Sequence, residues 1–478
     1  MAARGFLVGF SGEVRDQIRK EREPSFESID VRDMTSMLWS SIDNDDSRDL
    51  DQVEVAKPEP GGTRIYVGIA DVDWFVPLDS PIDRAAAQNT TSVYTGVETF
   101  MMLPEALATD LSSLREGVKR LAVVTELLVT DGGAVKESSI YPAIVQNQAQ
   151  LTYSAVAAWL DGTLDSGSTE AGKRTLAKIH SNPELQAQLK LQDSTAQQLR
   201  LRRHEAGALT FDSHELRPVV SAEGVVLDLE THRHDRASFV IEDFMIACNE
   251  TTAGFLDSRG FPSIRRVVRV PARWDRIRAL AESLGTTLPS EPDGVALEQF
   301  LRGEQKSNPA HFADLSLAII KLLGRGEYVV KQAGEAAPGH FGLAVHNYSH
   351  STAPNRRYPD LITQRLLKAA CSGKTNPYST PELEALAKHC TEKEDEANKV
   401  ERFVKKCAAA VLLAPKIGQN FDAVVSGVSR DGTWVRLSRP PVEGKLVGPR
   451  PRLDVGERVH VRLVSTNSEK GFIDFELS

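Results

Sequence analysis

The 478-residue sequence lacks most of the features that would settle its class at a glance. It has four cysteines, Cys248, Cys371, Cys390 and Cys407, and none forms a CxxC pair. That spacing excludes a zinc ribbon and a disulfide framework, and it fits a reducing cytoplasm. No run of about 18 apolar residues occurs, so no membrane-spanning helix is expected. The opening stretch M-A-A-R-G-F-L-V-G-F is too short in apolar residues for a signal peptide. A soluble, cytoplasmic monomer is the expectation. Basic residues are not in excess: 57 Lys and Arg stand against 66 Asp and Glu, a net charge of −9. A generally basic nucleic-acid coat is therefore excluded, but positive charge focused inside a channel is not.

What the chain does have is a crowd of carboxylates. The run S-I-D-N-D-D-S-R-D-L-D-Q holds Asp43, Asp45, Asp46, Asp49 and Asp51. Like charges that close together repel, and three readings account for them. The first is a solvated acidic loop, the usual fate of a charge run. Its flanks speak against that: Met34, Leu38 and Trp39 precede it, and V-E-V, P-E-P-G-G and R-I-Y-V-G-I-A-D-V follow it. These read as strand, hairpin turn, strand. The second is a calcium loop with Asp43, Asp45, Ser47, Asp49, Asp51 and Glu54 at ligand positions 1, 3, 5, 7, 9 and 12. Arg48 stands where that loop needs a sharp turn, and Pro58, Pro60, Gly61 and Gly62 forbid the helix that should follow. The third is a magnesium or manganese site for phosphodiester hydrolysis. Such a site needs a cation for the developing negative charge. The best candidate lies far along the chain in T-A-P-N-R-R-Y-P-D, where Arg356 and Arg357 precede Tyr358 and Asp360.

Taken with further segments, the run resembles the catalytic domain of the RNase II and RNase R family of hydrolytic 3′→5′ exoribonucleases. The segments are G-I-A-D-V-D-W-F-V (68–76), T-S-V-Y (91–94), M-L-P-E-A-L-A-T-D-L-S-S-L (102–114), G-A-L-T-F-D (207–212), I-E-D-F-M-I-A-C-N-E (241–250), H-F-G-L-A (340–344) and H-S-T-A-P-N-R-R-Y-P-D-L-I (350–362). They keep the family's order. The resemblance implies that Asp43, Asp49 and Asp51 hold Mg²⁺, with Mn²⁺ as an alternative. The family's fourth carboxylate is replaced by Gln52, which can offer a carbonyl oxygen but no charge; Asp45 or Asp46 would then make up the loss. Asp49, Asp51 and Arg356 are the implied catalytic residues, Arg356 gripping the reacting phosphate. Tyr94 and Phe211 are implied to clamp the last bases, a sequence-tolerant mode of holding RNA. Glu242 is placed near the terminal sugar, with Asp243 one residue away as the alternative. Arg357, Tyr358, Glu401 and Arg402 complete the implied RNA contacts.

The substrate implied is single-stranded RNA with a free 3′ end, degraded to nucleoside 5′-monophosphates. A non-catalytic RNA-binding regulator on the same scaffold is the competing reading, motivated by Gln52. His346 and His350, close to the arginines, are read as positioning or structural groups. The basic clusters Arg200, Arg202, Arg203 and Arg265, Arg266, Arg269 are candidate phosphate contacts or salt-bridged surface.

The pattern along the chain is α+β. Residues 1–35 form a short lead-in, with a charged helix expected over 14–22, too short for the cold-shock module with which the family usually begins. Residues 36–413 form the RNB-type catalytic domain: strands and turns over 36–130, helices over 153–203 interrupted by D-G-T-L-D-S-G-S-T, and further helices over 235–260, 313–332, 359–371 and 380–413. Residues 415–478 contain five short strands, expected to close into an OB-type RNA-binding barrel. There ten Lys and Arg stand against eight Asp and Glu, and Phe421, Trp434 and Phe472 are candidates for base stacking.

Overall fold

A computed structural model of the chain describes residues 1–163, 169–212, 215–221, 226–232, 234–336, 338–429, 432–448 and 453–478. Most of the D-G-T-L-D-S-G-S-T segment lies outside the described residues. The mixed sheet at the centre grows from the hairpin foreseen after the acidic run. Strands Gln52–Glu59 and Gly62–Ala70 pair antiparallel across a two-residue turn in which Gly61 takes φ +81°. Trp39–Asp43 flanks the first strand and Lys119–Thr130 the second. The 18-residue strand Val135–Thr152 then pairs with both outer strands, antiparallel to Lys119–Thr130 and parallel to Trp39–Asp43. The sheet therefore rolls up on itself. Glu54 sits inside a strand, not at the head of a helix, which rules out the calcium-loop geometry.

Alternation along Gln52–Glu59 sends successive side chains to opposite faces. Val53 and Val55 join Trp39, Val124, Leu361 and Leu366 in the largest core, beneath helix Tyr358–Cys371. Ala56, Ile65 and Val67 face Leu199, Val240 and Phe244 from helices Pro183–Glu205 and Arg236–Ser258. The helix expected over 313–332 is a correction. Helix Pro309–Leu323 stops at Gly324, whose φ is +103°, and Gly326–Lys331 is a strand paired with Ser263–Val268. The alternating E-Y-V-V-K suits a half-buried pleat, and the partner strand decides the matter.

The long helix Thr380–Leu413 begins with a capping box from Ser379 and Glu382 and ends in Ala409, Ala410 and Leu413. Those three enter the core of a closed five-stranded barrel spanning Asn420–Leu477, beside Val425, Leu463 and Phe475. Among the described residues no helix is long and apolar enough to cross a membrane.

Candidate active site

The acidic run is held by Leu50, the one apolar residue between Asp43 and Asp51. Leu50 is buried, its N–H donates to Ser113 Oγ at 3.0 Å, and its carbonyl accepts from Leu114 N at 3.0 Å. Ser113 Oγ in turn donates to the Arg48 carbonyl at 2.8 Å. With Leu50 pinned inward, its neighbours Asp49 and Asp51 are free to face the arginine loop. Asp51 does so across 305 residues of sequence: Oδ1 accepts from Asn355 N at 3.1 Å and Oδ2 from Arg356 Nε at 3.3 Å. Burial lifts the Asp51 carboxyl to about 7, against the pull of Arg356 and with a push from Asp49. Burial likewise lifts Asp43 to about 7, opposed by the Gln52 hydrogen bond and helped by Asp51 and Asp49.

The arginine loop is fixed by the T-S-V-Y segment. Ser92 N donates to the Arg356 carbonyl at 2.9 Å, and Tyr358 N donates to the Thr90 carbonyl at 2.8 Å. This ladder carries Tyr94 to the acidic run, where its hydroxyl donates to Asp49 Oδ2 at 3.0 Å. Burial and Asp49 raise the Tyr94 phenol further. Glu401 closes the group, since its Oε1 accepts from Tyr94 N at 3.1 Å. Asp43, Asp49, Asp51, Gln52, Arg356, Tyr94 and Glu401 thus meet at one place.

The remaining expected residues fare differently. Gln52 turns its amide nitrogen, not the foreseen carbonyl oxygen, toward Asp43 Oδ1 at 3.3 Å. Asp45 is no substitute carboxylate, because it is turned away to accept from Ser154 and Thr169. Arg357 spends its guanidinium on Asp360 at 2.7 Å, which leaves Arg356 to Asp51. Tyr358 is a correction: it is 2% exposed, packs in the main core and donates its hydroxyl to Asp83 at 2.9 Å, so it cannot reach RNA. Phe211 leans, half-buried, on the helical cluster of Trp274, Phe300 and Phe312. Glu242 is half-exposed, 3.8 Å from His234 Nδ1, whereas the neighbouring Asp243 is buried between Arg200 and Arg203. That pairing separates the two candidates. Arg402 is exposed on the long helix and donates to the Asn398 carbonyl.

Of the basic clusters, Arg200 and Arg203 serve Asp243, and Arg265, Arg266 and Arg269 pair with Asp257, Glu394 and Glu327. His350 is a buried structural group, its Nδ1 2.8 Å from the Tyr328 hydroxyl and its acidity raised by burial. Sequence reasoning missed Ser113 and Asn355, whose backbone-directed roles leave no charge signature. It also read Glu54 only as a calcium ligand. Glu54 is fully buried, with both oxygens unpartnered, and burial with Asp43 nearby raises its carboxyl well above the ordinary range.

Comparison with known proteins places this geometry. The RNB domain family matches residues 31–373, well over half the chain. The chain belongs to the RNB family. The RNase II-type exonuclease C-terminal S1 domain matches residues 419–478, the barrel. Ribonuclease R 1 of Lactococcus lactis is 28% identical over 509 residues, covering 100% of this chain. The chain spans 60% of that relative's length. The structure of Mycoplasma genitalium RNase R in complex with ribose methylated single-stranded RNA superposes with a TM-score of 0.88 at 23% identity, covering 99% of this chain and 76% of that one. Yeast Ssd1, titled a pseudonuclease, superposes at 0.67 and 17% identity, covering 93% and 54%.

The acidic site of this RNB domain fits a hard divalent cation. Its donors are all oxygen, the set that Mg²⁺ and Mn²⁺ take. Asp43 Oδ2 is buried without a hydrogen-bond partner, and the mutual repulsion of Asp43, Asp49 and Asp51 calls for positive charge. Among the described residues no three or more His, Cys, Asp or Glu side chains gather into a cage that could hold a metal ion. Mg²⁺ does not need one, because it keeps several waters and takes further oxygens from a substrate phosphate.

Proposed function

We propose that this RNB protein is a metal-dependent, sequence-tolerant 3′→5′ exoribonuclease acting on single-stranded RNA with a free 3′ end. The observation that carries this reading is the joining of Asp51 to Asn355 N and Arg356 Nε, 304 and 305 residues away, inside a set of carboxylates. Asp43, Asp49 and Asp51 would hold Mg²⁺ or Mn²⁺. When bound, such an ion polarises a phosphoryl oxygen and makes water a stronger nucleophile.

Arg356, with 45% of its side chain exposed, faces the phosphoryl oxygens and offsets their growing charge. Water adds across the last phosphodiester. Its oxygen bonds to phosphorus, the bond to the 3′ oxygen of the preceding nucleotide breaks, and that oxygen leaves with a proton. The product is a nucleoside 5′-monophosphate. Tyr94, 39% exposed and tethered by Asp49 and Glu401, offers a ring for the terminal bases. Phe211 is the proposed second ring, Glu242 the acceptor for a terminal 2′-hydroxyl, and exposed Arg402 an outer phosphate contact, while Arg357 stays with Asp360 and braces the arginine loop. The four free thiols suit a reducing cytoplasm, and we place the chain there as a monomer.

The test is 5′-labelled poly(A) with Mg²⁺ or Mn²⁺, beside Asp51→Asn. Progressive shortening to a small oligonucleotide, lost in the variant, supports the enzyme. A second reading, an RNA-binding regulator without turnover, draws on neutral Gln52 in the acidic site and on the likeness to a pseudonuclease. Binding without shortening, equal in both proteins, would establish it instead.

A further inference from the structure

Beneath the acidic run lies a carboxyl group that the proposed chemistry leaves unused. Glu54 stands two residues past Gln52 in strand Gln52–Glu59, so both side chains leave the same face of the strand. It is fully buried, and neither of its oxygens has a hydrogen-bond partner. The charge acting on it is that of Asp43, which has the same sign. Asp43 Oδ2 is buried and unpartnered too, because Gln52 donates only to Oδ1. Three buried carboxylate oxygens on two neighbouring strands, to either side of the Gln52 amide, therefore have no hydrogen-bond donor among the described residues.

Burying even one unpaired carboxylate is expensive, and a second beside it more so. Such groups stay protonated unless something positive joins them and lets them ionise. Gln52, the polar residue between them on that face, brings an amide and no charge. Oxygen donors alone, two of them on one carboxylate, suit a hard divalent ion. We propose that Glu54 and Asp43 together hold a divalent cation, with Glu54 supplying the negative charge that Gln52 does not. The inference rests on the reading of the acidic run as a metal site. It adds a ligand that lies outside the run and inside the sheet. An ion would enter from the Asp43 side, which is only partly covered.

Titration of the whole chain with Mn²⁺ alone, without RNA, tests this by calorimetry and by the loss of the free-ion electron-spin-resonance signal. Glu54→Gln keeps shape and removes charge. It is expected to weaken Mn²⁺ binding by about tenfold or more, with circular dichroism in EDTA unchanged. Adding Gln52→Asp to that variant returns a carboxylate to the same strand face and is expected to recover most of the affinity. Equal Mn²⁺ binding by Glu54→Gln and the natural chain overturns the proposal. If Glu54→Gln fails to fold, Glu54→Asp decides: weaker binding supports the proposal and unchanged binding overturns it. A natural chain that binds Mn²⁺ and shortens RNA, beside an unaffected Glu54→Gln, removes Glu54 alone. A natural chain that takes up no Mn²⁺ removes the metal reading of the acidic run with it.

Discussion

At the scale of single residues, the site turns on which cation answers which carboxylate. Arg357 is occupied by buried Asp360, so Arg356 is the arginine left for Asp51 and for a phosphate. Arg356→Ala is expected to lower kcat by about 100-fold or more, with Arg356→Lys restoring only part, since a lysine lacks the planar fork. Single-turnover rates on labelled RNA measure both, and a full rescue by lysine would show that charge alone suffices. A second prediction concerns pH. Folding raises the carboxyls of Asp43 and Asp51 from 3.8 to about 7. Between those values the unfolded chain has released these protons and the folded chain still holds them. Their contribution to stability is therefore complete below about pH 4 and is lost as pH rises to about 7. Metal-free protein should resist urea less at about pH 8 than at about pH 5, and Asp51→Asn should flatten that difference. A chain equally stable at both pH values would contradict it. At this scale the aspartates were legible from crowding alone. The partnership of Gln52 was not, because the composition of an amide does not say which of its ends will face a neighbour. Nor was that of Asn355, which acts through its backbone.

Elements explain why Tyr358 misled. It adjoins the arginines in sequence, yet it opens helix Tyr358–Cys371, and the first turn of that helix faces the sheet. A helix advances about 100° per residue, so neighbours in sequence reach different surroundings. Beneath that helix Arg365 binds Asp73 at 3.0 Å, Asp83 at 2.8 Å, the Tyr378 hydroxyl at 2.8 Å and the Val76 carbonyl at 2.6 Å. Arg365 and Asp83 each have only 4% of their side chains exposed. Arg365→Met should strand Asp83 in the core and cost about 3–5 kcal/mol, read as a lowered urea midpoint. A loss within about 0.5 kcal/mol, the surface norm, would mean the network is not what ties helix Tyr358–Cys371 to Asp73 and Asp83. The same scale shows where periodicity was sufficient. The hairpin after the acidic run and the long helix to Leu413 followed from alternation, turn residues and caps. Strand Gly326–Lys331 did not, because its identity depends on a partner some 60 residues upstream.

For the whole molecule, the difficulty is how a chain of net charge −9 would hold the polyanion proposed as its substrate. The acidic site would not help without a bound cation, and among the described residues Arg200, Arg203, Arg265 and Arg266 are paired internally. Affinity must then come from local positive charge and from stacking, and the barrel offers the second. The five barrel strands were legible as short runs between turns, but which of their aromatics face outward was not. Phe421 packs edge-on against Phe475 inside the barrel, and Trp434 is half-buried beside Lys445. Phe472, at the start of the last strand, is 59% exposed. An exposed ring adds stacking energy without contributing to the core, so the two phenylalanines should separate cleanly. Phe472→Ala is expected to weaken single-stranded RNA binding by about 1–3 kcal/mol while leaving the melting temperature nearly unchanged. Phe421→Ala should cost stability first, by about 3 kcal/mol if its ring is lost from a well-packed site. Fluorescence anisotropy at two salt concentrations, beside thermal melts, reads both effects. Because stacking is not counterion release, the Phe472 variant should keep the salt slope of the natural chain. A slope that flattened instead would trace the barrel's contribution to phosphate contacts and not to the ring.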